Sequence, residues 1–205
     1  MINETTRLGY CCINLSLNRK VTANRGMIKK TFQQKGVQYC SELAHQNIKD
    51  ILTILEWNLA NGIYVYRMSS DVFPWMSEYE IQELPNFQEI LPDMQAIGKF
   101  VLANNIRLSM HPGQFCVLAS DNPDIVRRSV EEFEYHADIA RYMGYGKQFQ
   151  DFKINVHISG RQGPAGIKAI LPQLSQEARN CITIENDENK WGISDSLELK
   201  NDVAL

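Results

Sequence analysis

The sequence predicts an α/β protein built from parallel βα units. Strand-like and helix-like segments alternate at intervals of roughly 30–45 residues, the rhythm of strands joined through crossover helices. Short runs rich in β-branched and aromatic residues, Ile63 to Met68 among them, stand between segments of helical apolar spacing that close at turn residues. Groups able to bind a cation stand where those strands end, which is where parallel βα proteins gather their active sites. Two architectures fit, a doubly wound open sheet and a (β/α)8 barrel. Neither GxGxxG nor GxxxxGK[ST] occurs, so a nucleotide-binding open sheet lacks its usual motifs.

In chain order, Arg7 to Ile13 reads as a first short strand. Ala44, Ile48, Ile51, Leu52, Leu55 and Leu59 fall at helical spacing, and Asn61-Gly62 stops that helix. Ile63 to Met68 is the second strand. Asn86 and Glu89 form a capping-box pattern ahead of Ile90, Met94, Ile97 and Val101. Ile106 to Met110 is the third strand. Asp121-Asn122-Pro123 opens a third helix, with Val126, Val130, Phe133, Ala137 and Ala140 on one face and Gly144 as its stop. Phe152 to Ile158 is a fourth strand, Pro164 to Leu174 is helical, and Cys181 to Glu185 is a fifth strand. Ser194 or Asp195 caps a fifth helix, and Val203-Ala204-Leu205 opens a sixth strand.

The length of 205 residues suits one domain spanning 1–205, large enough for a sizeable core. With 44% hydrophobic and 22% charged residues the composition is that of a globular protein, and no apolar run reaches the ~18 residues of a membrane span. Met1-Ile2-Asn3-Glu4 lacks the basic-then-apolar order of a secretory signal, so the expectation is a cytoplasmic protein with no membrane partner. Cys11, Cys12, Cys40, Cys116 and Cys181 fit neither a disulfide framework nor a CxxC metal site. The net charge of −3 argues weakly against a nucleic-acid partner. Between Asn18 and Val37, however, Arg19, Lys20, Arg25, Lys29, Lys30 and Lys35 stand with no acidic residue among them. This reads as a long basic loop, either a solvated arm or one that tracks phosphates.

The strand ends carry the chemistry. The first strand holds Tyr10 and runs out at Asn14; the second ends Ser69-Ser70-Asp71; the third ends His111-Pro112-Gly113-Gln114-Phe115. The fourth contains His157 before Ser159-Gly160, and the fifth ends Glu185-Asn186-Asp187. A lone histidine at a strand end is usually structural. Two histidines and a glutamate at equivalent ends instead suit Zn²⁺ or Mn²⁺. His45 and His136 lie inside helices and read as structural, and Glu131-Glu132 reads as a solvated face.

These segments resemble the UV-damage endonuclease family. The likeness rests on Arg7-Leu8-Gly9-Tyr10 with Asn14-Leu15, on Arg67 to Pro74, and on Arg107-Leu108-Ser109-Met110-His111-Pro112-Gly113-Gln114-Phe115. It continues, in order, with Val156 to Gly160 and Ile184-Glu185-Asn186-Asp187. The resemblance implies a TIM-type (β/α)8 barrel similar to endonuclease IV and the xylose-isomerase-like barrels. It implies a divalent-metal cluster, manganese in the first place with zinc and magnesium as alternatives. It implies incision of double-stranded DNA 5′ to UV photoproducts, with abasic sites among the further lesions, by a monomer that is nucleoid-associated if bacterial.

Residue by residue, the resemblance implies His111, His157 and Glu185 as catalytic metal ligands, with Glu78 where many members carry an early histidine ligand. Gln114 and Phe115 match residues pushed into the duplex beside the lesion, Tyr10 a second probing residue, and Asn14 a polar neighbour of the damaged pair. Without that pattern Gln114-Phe115 would read as a loop with a core-facing Phe. Ser159-Gly160-Arg161-Gln162-Gly163 stands where the family has a loop containing Gly-Gly. A complete barrel takes about 250 residues, so the chain looks like a C-terminally truncated member with about five βα units. Such a fragment alone is expected to bind metal poorly and not to cut DNA. The competing expectations are a metal-dependent sugar isomerase or epimerase on the same barrel, and an inactive DNA-binding fragment.

Overall fold

Three short parallel strands organise the first half of the chain: β1 (Gly9–Cys11), β2 (Val65–Arg67) and β3 (Arg107–Met110). Gly9 lies opposite Val65, and Val65 opposite Arg107, so the three run in register. The computed structural model describes residues 6–187 and 190–205. The expectation placed on Met1 to Glu4 therefore falls outside the described residues. The chain divides into two compact units, Met1–Ser109 and Met110–Leu205.

In the first unit β1 is followed by α1 (Lys29–Ala60), and β2 by α2 (Phe87–Ala103). The apolar stripe read from the sequence is the buried face of α1: Ala44, Ile48, Ile51 and Leu55 are shielded from solvent. Ser41, Asn47, Asp50 and Asn58 are buried on the same helix. Burying such groups is costly unless they are hydrogen-bonded, and each holds a neighbouring segment. Asn47 accepts from the Arg25 amide and donates to the carbonyls of Arg25 and Val72, fixing two loops at once. Asp50 takes the Thr22 amide at 2.9 Å and the Arg25 guanidinium at 2.6 Å.

These contacts correct the reading of residues 18–37 as one long basic loop. Arg25 faces inward, donating also to the carbonyls of Thr22 and Lys20. Lys29, Lys30 and Lys35 lie on α1, which bends where Gly36 adopts φ +61°. The glycine that looked like a loop residue is the bend between two helical stretches.

The capping box at Asn86 and Glu89 does not form. The Asn86 amide and side chain both engage the Ser41 hydroxyl at 2.9 Å, tying the start of α2 to α1 instead. His45 is structural as expected, its ring lying 3.3 Å from Glu89 and 3.1 Å from Asp93.

The second unit contains α3 (Pro123–Tyr142), β4 (Lys153–His157), α4 (Gly163–Ile170), α5 (Gln176–Cys181), β5 (Ile182–Glu185) and α6 (Ile193–Leu197). Asn122 caps α3 by accepting from the Asp124 amide, as its sequence predicts. The chain leaves α3 through Gly144 at φ +100°. β4 and β5 are parallel, with Ile154 opposite Ile182 and His157 opposite Glu185. The expected sixth strand begins as a bridge from Thr183 to Ala204. The cap of α6 is Gly192, whose amide donates to the Asp195 carboxylate, so Asp195 serves from inside the helix. Helix α5 is not anticipated by the sequence reading. It is one short turn capped by Ser175, and it takes in Cys181, which the sequence assigned to the strand. Among the described residues no helix is long and apolar enough to cross a membrane, and all five cysteines are free.

His136 is completely buried on α3 and, as expected, has a structural place. Its Nδ1 donates to the Glu132 carbonyl at 2.7 Å, and its Nε2 lacks a partner among the described residues. Burial pushes its pKa down from 6.5 to about 4, so the folded state holds it neutral. The unfolded chain binds this proton first. The stabilisation is therefore complete above about pH 6.5 and is lost as pH falls through about 4, on the order of 3 kcal/mol for this group. Urea unfolding at pH 7 and pH 4.5 should show a steeper acid loss for the native chain than for His136→Gln. Parallel pH dependences for the two would contradict the assignment.

Candidate metal centre

Period-two alternation gives β4 and β5 two unlike faces. Ile154, Val156, Ile182 and Ile184 are buried on one; Lys153, Asn155, His157, Thr183 and Glu185 line the other. Because the strands pair in register, the last residue of each, His157 and Glu185, meet. His157 Nε2 lies 3.1 Å from Glu185 Oε1. Asn155, two residues back on the same face, donates to Glu185 Oε2 at 2.5 Å and fixes the carboxylate plane. Asn155 escaped the sequence reading, although its two-residue spacing from His157 was the signal that could have found it.

The third member follows β3. His111 Nε2 lies 3.1 Å from the same Glu185 Oε1, and the two imidazoles tilt at 60° with centroids 5.1 Å apart. His111 Nδ1 is 2.8 Å from the Pro112 carbonyl, which can only accept, so Nδ1 carries the proton and the Nε2 lone pair faces the site. Lone pairs aimed at one carboxylate oxygen repel it unless a proton or a cation lies among them. The donor atoms of His111, His157 and Glu185 all lie within 4.8 Å of one another. Two ligands about 2.1 Å from one ion, at angles of 90–110°, stand about 3.0–3.4 Å apart, which the 3.1 Å spacings match. Burial pushes the Glu185 carboxyl up, but the two imidazoles beside it and the Asn155 hydrogen bond outweigh that and hold the group below its ordinary range. The site therefore keeps an ionised oxygen ligand between two imidazoles.

Beyond His111 the chain makes a tight turn, closed by the Cys116 amide donating to the Gly113 carbonyl at 2.9 Å. Gln114 and Phe115 occupy its tip, with Phe115 80% exposed, which excludes the core-facing alternative for this ring. The turn is tied to α3 at both ends. The Gly113 amide donates to Glu132 Oε1 at 3.0 Å, and the Val117 amide to Ser129 Oγ at 2.8 Å. Glu132 is thus not part of a solvated face. Glu131 is, paired with Arg127 at 2.7 Å on the surface. Burial pushes the Glu132 carboxyl up, against the lowering effect of the Gly113 amide.

The remaining candidates lie in the first unit. Tyr10 donates to Asn58 Oδ1 at 2.7 Å and accepts from Asn14 at 2.8 Å, so its hydroxyl is engaged on both sides. Burial raises the Tyr10 pKa, against the hydrogen bonds of Asn14 and Asn58. Asn14 is buried and its oxygen accepts from the amides of Ser16 and Leu17. Glu78 ends a short 3-10 turn (Met76–Glu78) and is exposed.

The model of the family described as UV-endonuclease UvdE matches residues 6–205. Over 218 residues the chain is 35% identical to a protein of Acanthamoeba polyphaga mimivirus, covering 100% of this chain and 64% of that one. Over 204 residues it is 30% identical to the UV DNA damage endonuclease of Clostridium perfringens, covering 97% of this chain and 47% of that one. The crystal structure of SacUVDE superposes with a TM-score of 0.81 at 28% identity, covering 95% of this chain and 65% of that one. The chain thus spans between about half and two thirds of the length of these relatives. The likeness to SacUVDE bears out the expected TIM-type barrel fold, of which the described residues carry five parallel strands and the opening of a sixth.

The loop after His157 is held by close backbone packing. Gly160 adopts φ +98°, and a methyl there would lie 2.3 Å from the Ala119 carbonyl oxygen. Its own carbonyl accepts from the Trp191 indole at 2.8 Å. Gly160→Ala should destabilise the protein by about 2–4 kcal/mol in urea unfolding. Gly26→Ala, where a methyl meets nothing within 4 Å, should stay within about 0.5 kcal/mol of the parent. Equal effects of the two changes would show that the loop yields freely.

Proposed function

Because the chain belongs to the UV-endonuclease UvdE family, we propose that it serves DNA repair as the part of a metal-dependent endonuclease that nicks the backbone 5′ to UV photoproducts. The observation that carries this reading is the convergence of His111, His157 and Glu185 on one point. Two neutral imidazoles and one carboxylate form a donor set suited to a borderline divalent ion, with Mn²⁺ the first candidate and Zn²⁺ or Mg²⁺ the alternatives. When bound, such an ion would neutralise charge on a phosphoryl oxygen and lower the pKa of an attacking water.

The protein's own groups do the rest. The Pro112 carbonyl keeps the His111 tautomer that presents Nε2, and Asn155 holds the Glu185 carboxylate in plane. Gln114 and Phe115, on a turn clamped at both ends, are the proposed wedge into the duplex. Photoproducts stack and pair poorly, so an aromatic ring enters such a step at lower cost than an intact one, and selectivity follows from deformability. Tyr10 and Asn14 are proposed as further lesion contacts, which requires the Tyr10 hydroxyl to exchange one of its two present partners. Glu78 is proposed as an additional ligand.

The test uses the protein expressed from its complete gene. With Mn²⁺ it should nick UV-irradiated plasmid and leave untreated plasmid intact. His111→Ala and Glu185→Gln should lower metal affinity by more than about 100-fold in calorimetric titration, and Asn155→Ala by about 10–100-fold. Phe115→Ala should keep the metal affinity and lose nicking of irradiated DNA. Metal binding with turnover of a sugar and no nicking would move the protein to the isomerases. Unchanged metal affinity in both ligand variants would remove the centre.

A further inference from the structure

Ser129, Glu132 and His136 lie three and four residues apart on α3 and so share one face with Phe133, a face otherwise apolar. Ser129 is 1% exposed. A hydroxyl and a carboxylate on a core-facing stripe cost stability unless they are paired, and alanine would serve helix packing better. Their partners explain them. Ser129 Oγ accepts the Val117 amide at 2.8 Å, while its carbonyl accepts from the Cys116 thiol. Glu132 Oε1 accepts the Gly113 amide at 3.0 Å. The two acceptors are spaced by one helical turn, and they grip the turn on either side of Gln114 and Phe115. No hydrogen bond from α3 reaches Gln114 or Phe115 among the described residues, so the tip stays free while its base is fixed.

We propose that Ser129 and Glu132 are positioning residues that set lesion selectivity by holding the Gln114-Phe115 turn rigid before DNA arrives. This deepens the function proposed above and rests on it. An exposed aromatic on a loose turn must be ordered when it enters a base step, and that entropy is subtracted from binding at every site. On a clamped turn the ordering is complete beforehand. Rigidity also sharpens selectivity. A fixed ring enters only steps that already open, whereas a swinging ring also lies flat against intact DNA.

The experiment compares the parent with Ser129→Ala, Glu132→Ala and Glu132→Gln in the protein from the complete gene. One readout is amide exchange at Gly113 and Val117. The other is the ratio of affinities for UV-irradiated and unirradiated duplex, with melting temperature recorded for each variant. Ser129→Ala should speed exchange at Val117, and Glu132→Ala at Gly113, by about tenfold, the worth of one such hydrogen bond. The affinity ratio should fall by a similar factor in both. Glu132→Gln retains an oxygen acceptor and should restore the parental ratio, a rescue that a purely structural loss would not follow. Should Ser129→Ala reduce the folded yield, Glu132→Ala carries the test alone, since that side chain is only half-buried. If the parent prefers irradiated DNA and Glu132→Ala keeps the full preference, the positioning proposal is wrong while the endonuclease reading stands. If the parent itself shows no preference, the endonuclease reading fails and the positioning role falls with it.

Discussion

One shared oxygen organises the second unit. Glu185 Oε1 sits 3.1 Å from two imidazole nitrogens, and both of its neighbours reach it from strand ends rather than from flexible side loops. The arrangement follows from strand pairing. Parallel register sets His157 opposite Glu185, and the pleat turns both to the same face as Asn155. A slip of one residue in that pairing would send Glu185 to the apolar face and leave two histidines without their carboxylate. The buried face opposes such a slip, because it would put Ile182 and Ile184 on the polar side, away from Ile154 and Val156. The hydrophobic pattern of the strands therefore protects the geometry of the polar site.

Polar groups on otherwise apolar faces recur through the chain, and they share a use. Asn47 and Asp50 on α1 hold the segment around Arg25; Ser41 holds the start of α2; Ser129 and Glu132 hold the turn after β3. In each case a helix spends part of its core-facing surface on a hydrogen bond to a loop. Loops carry few apolar contacts of their own, so such bonds are what give them one conformation. Arg25 shows the consequence for charge. Its guanidinium serves Asp50 and two carbonyls, so this charge fixes the chain instead of facing solvent.

How legible the molecule is from its sequence varies with the range of the interaction. The convergence of His111, His157 and Glu185 was readable because strand ends of parallel βα units converge whatever the loops between them do. Asn122 and Gly144 were readable because capping is local. Asn86 was misread because Ser41, 45 residues away, took the groups a capping box would have used. Glu132 looked like its neighbour Glu131, and only the fold separates the one that meets a backbone amide from the one that meets Arg127. Helix α5 runs straight into β5 with no Gly or Pro between them, so no local signal marks its end. Gly36 misled in the opposite sense, since a glycine among basic residues reads as loop where the chain only bends.

Phe115 brings these strands of reasoning together. A phenylalanine held in water forgoes about 2 kcal/mol that burial would return. Chains usually recover that by letting the ring fold back onto nearby apolar surface. Here the turn is pinned at Gly113 by a carboxylate and at Val117 by a hydroxyl, so collapse of the loop would break two hydrogen bonds to keep one ring dry. The cost of exposure and the cost of the inward polar groups on α3 are thus linked. Both are incurred at one turn, and His111, at the start of that turn, has its tautomer fixed by the Pro112 carbonyl. A fold indifferent to what meets Phe115 would have no reason to bear either cost. The proposed wedge role would give the fold a reason to bear both at the same place.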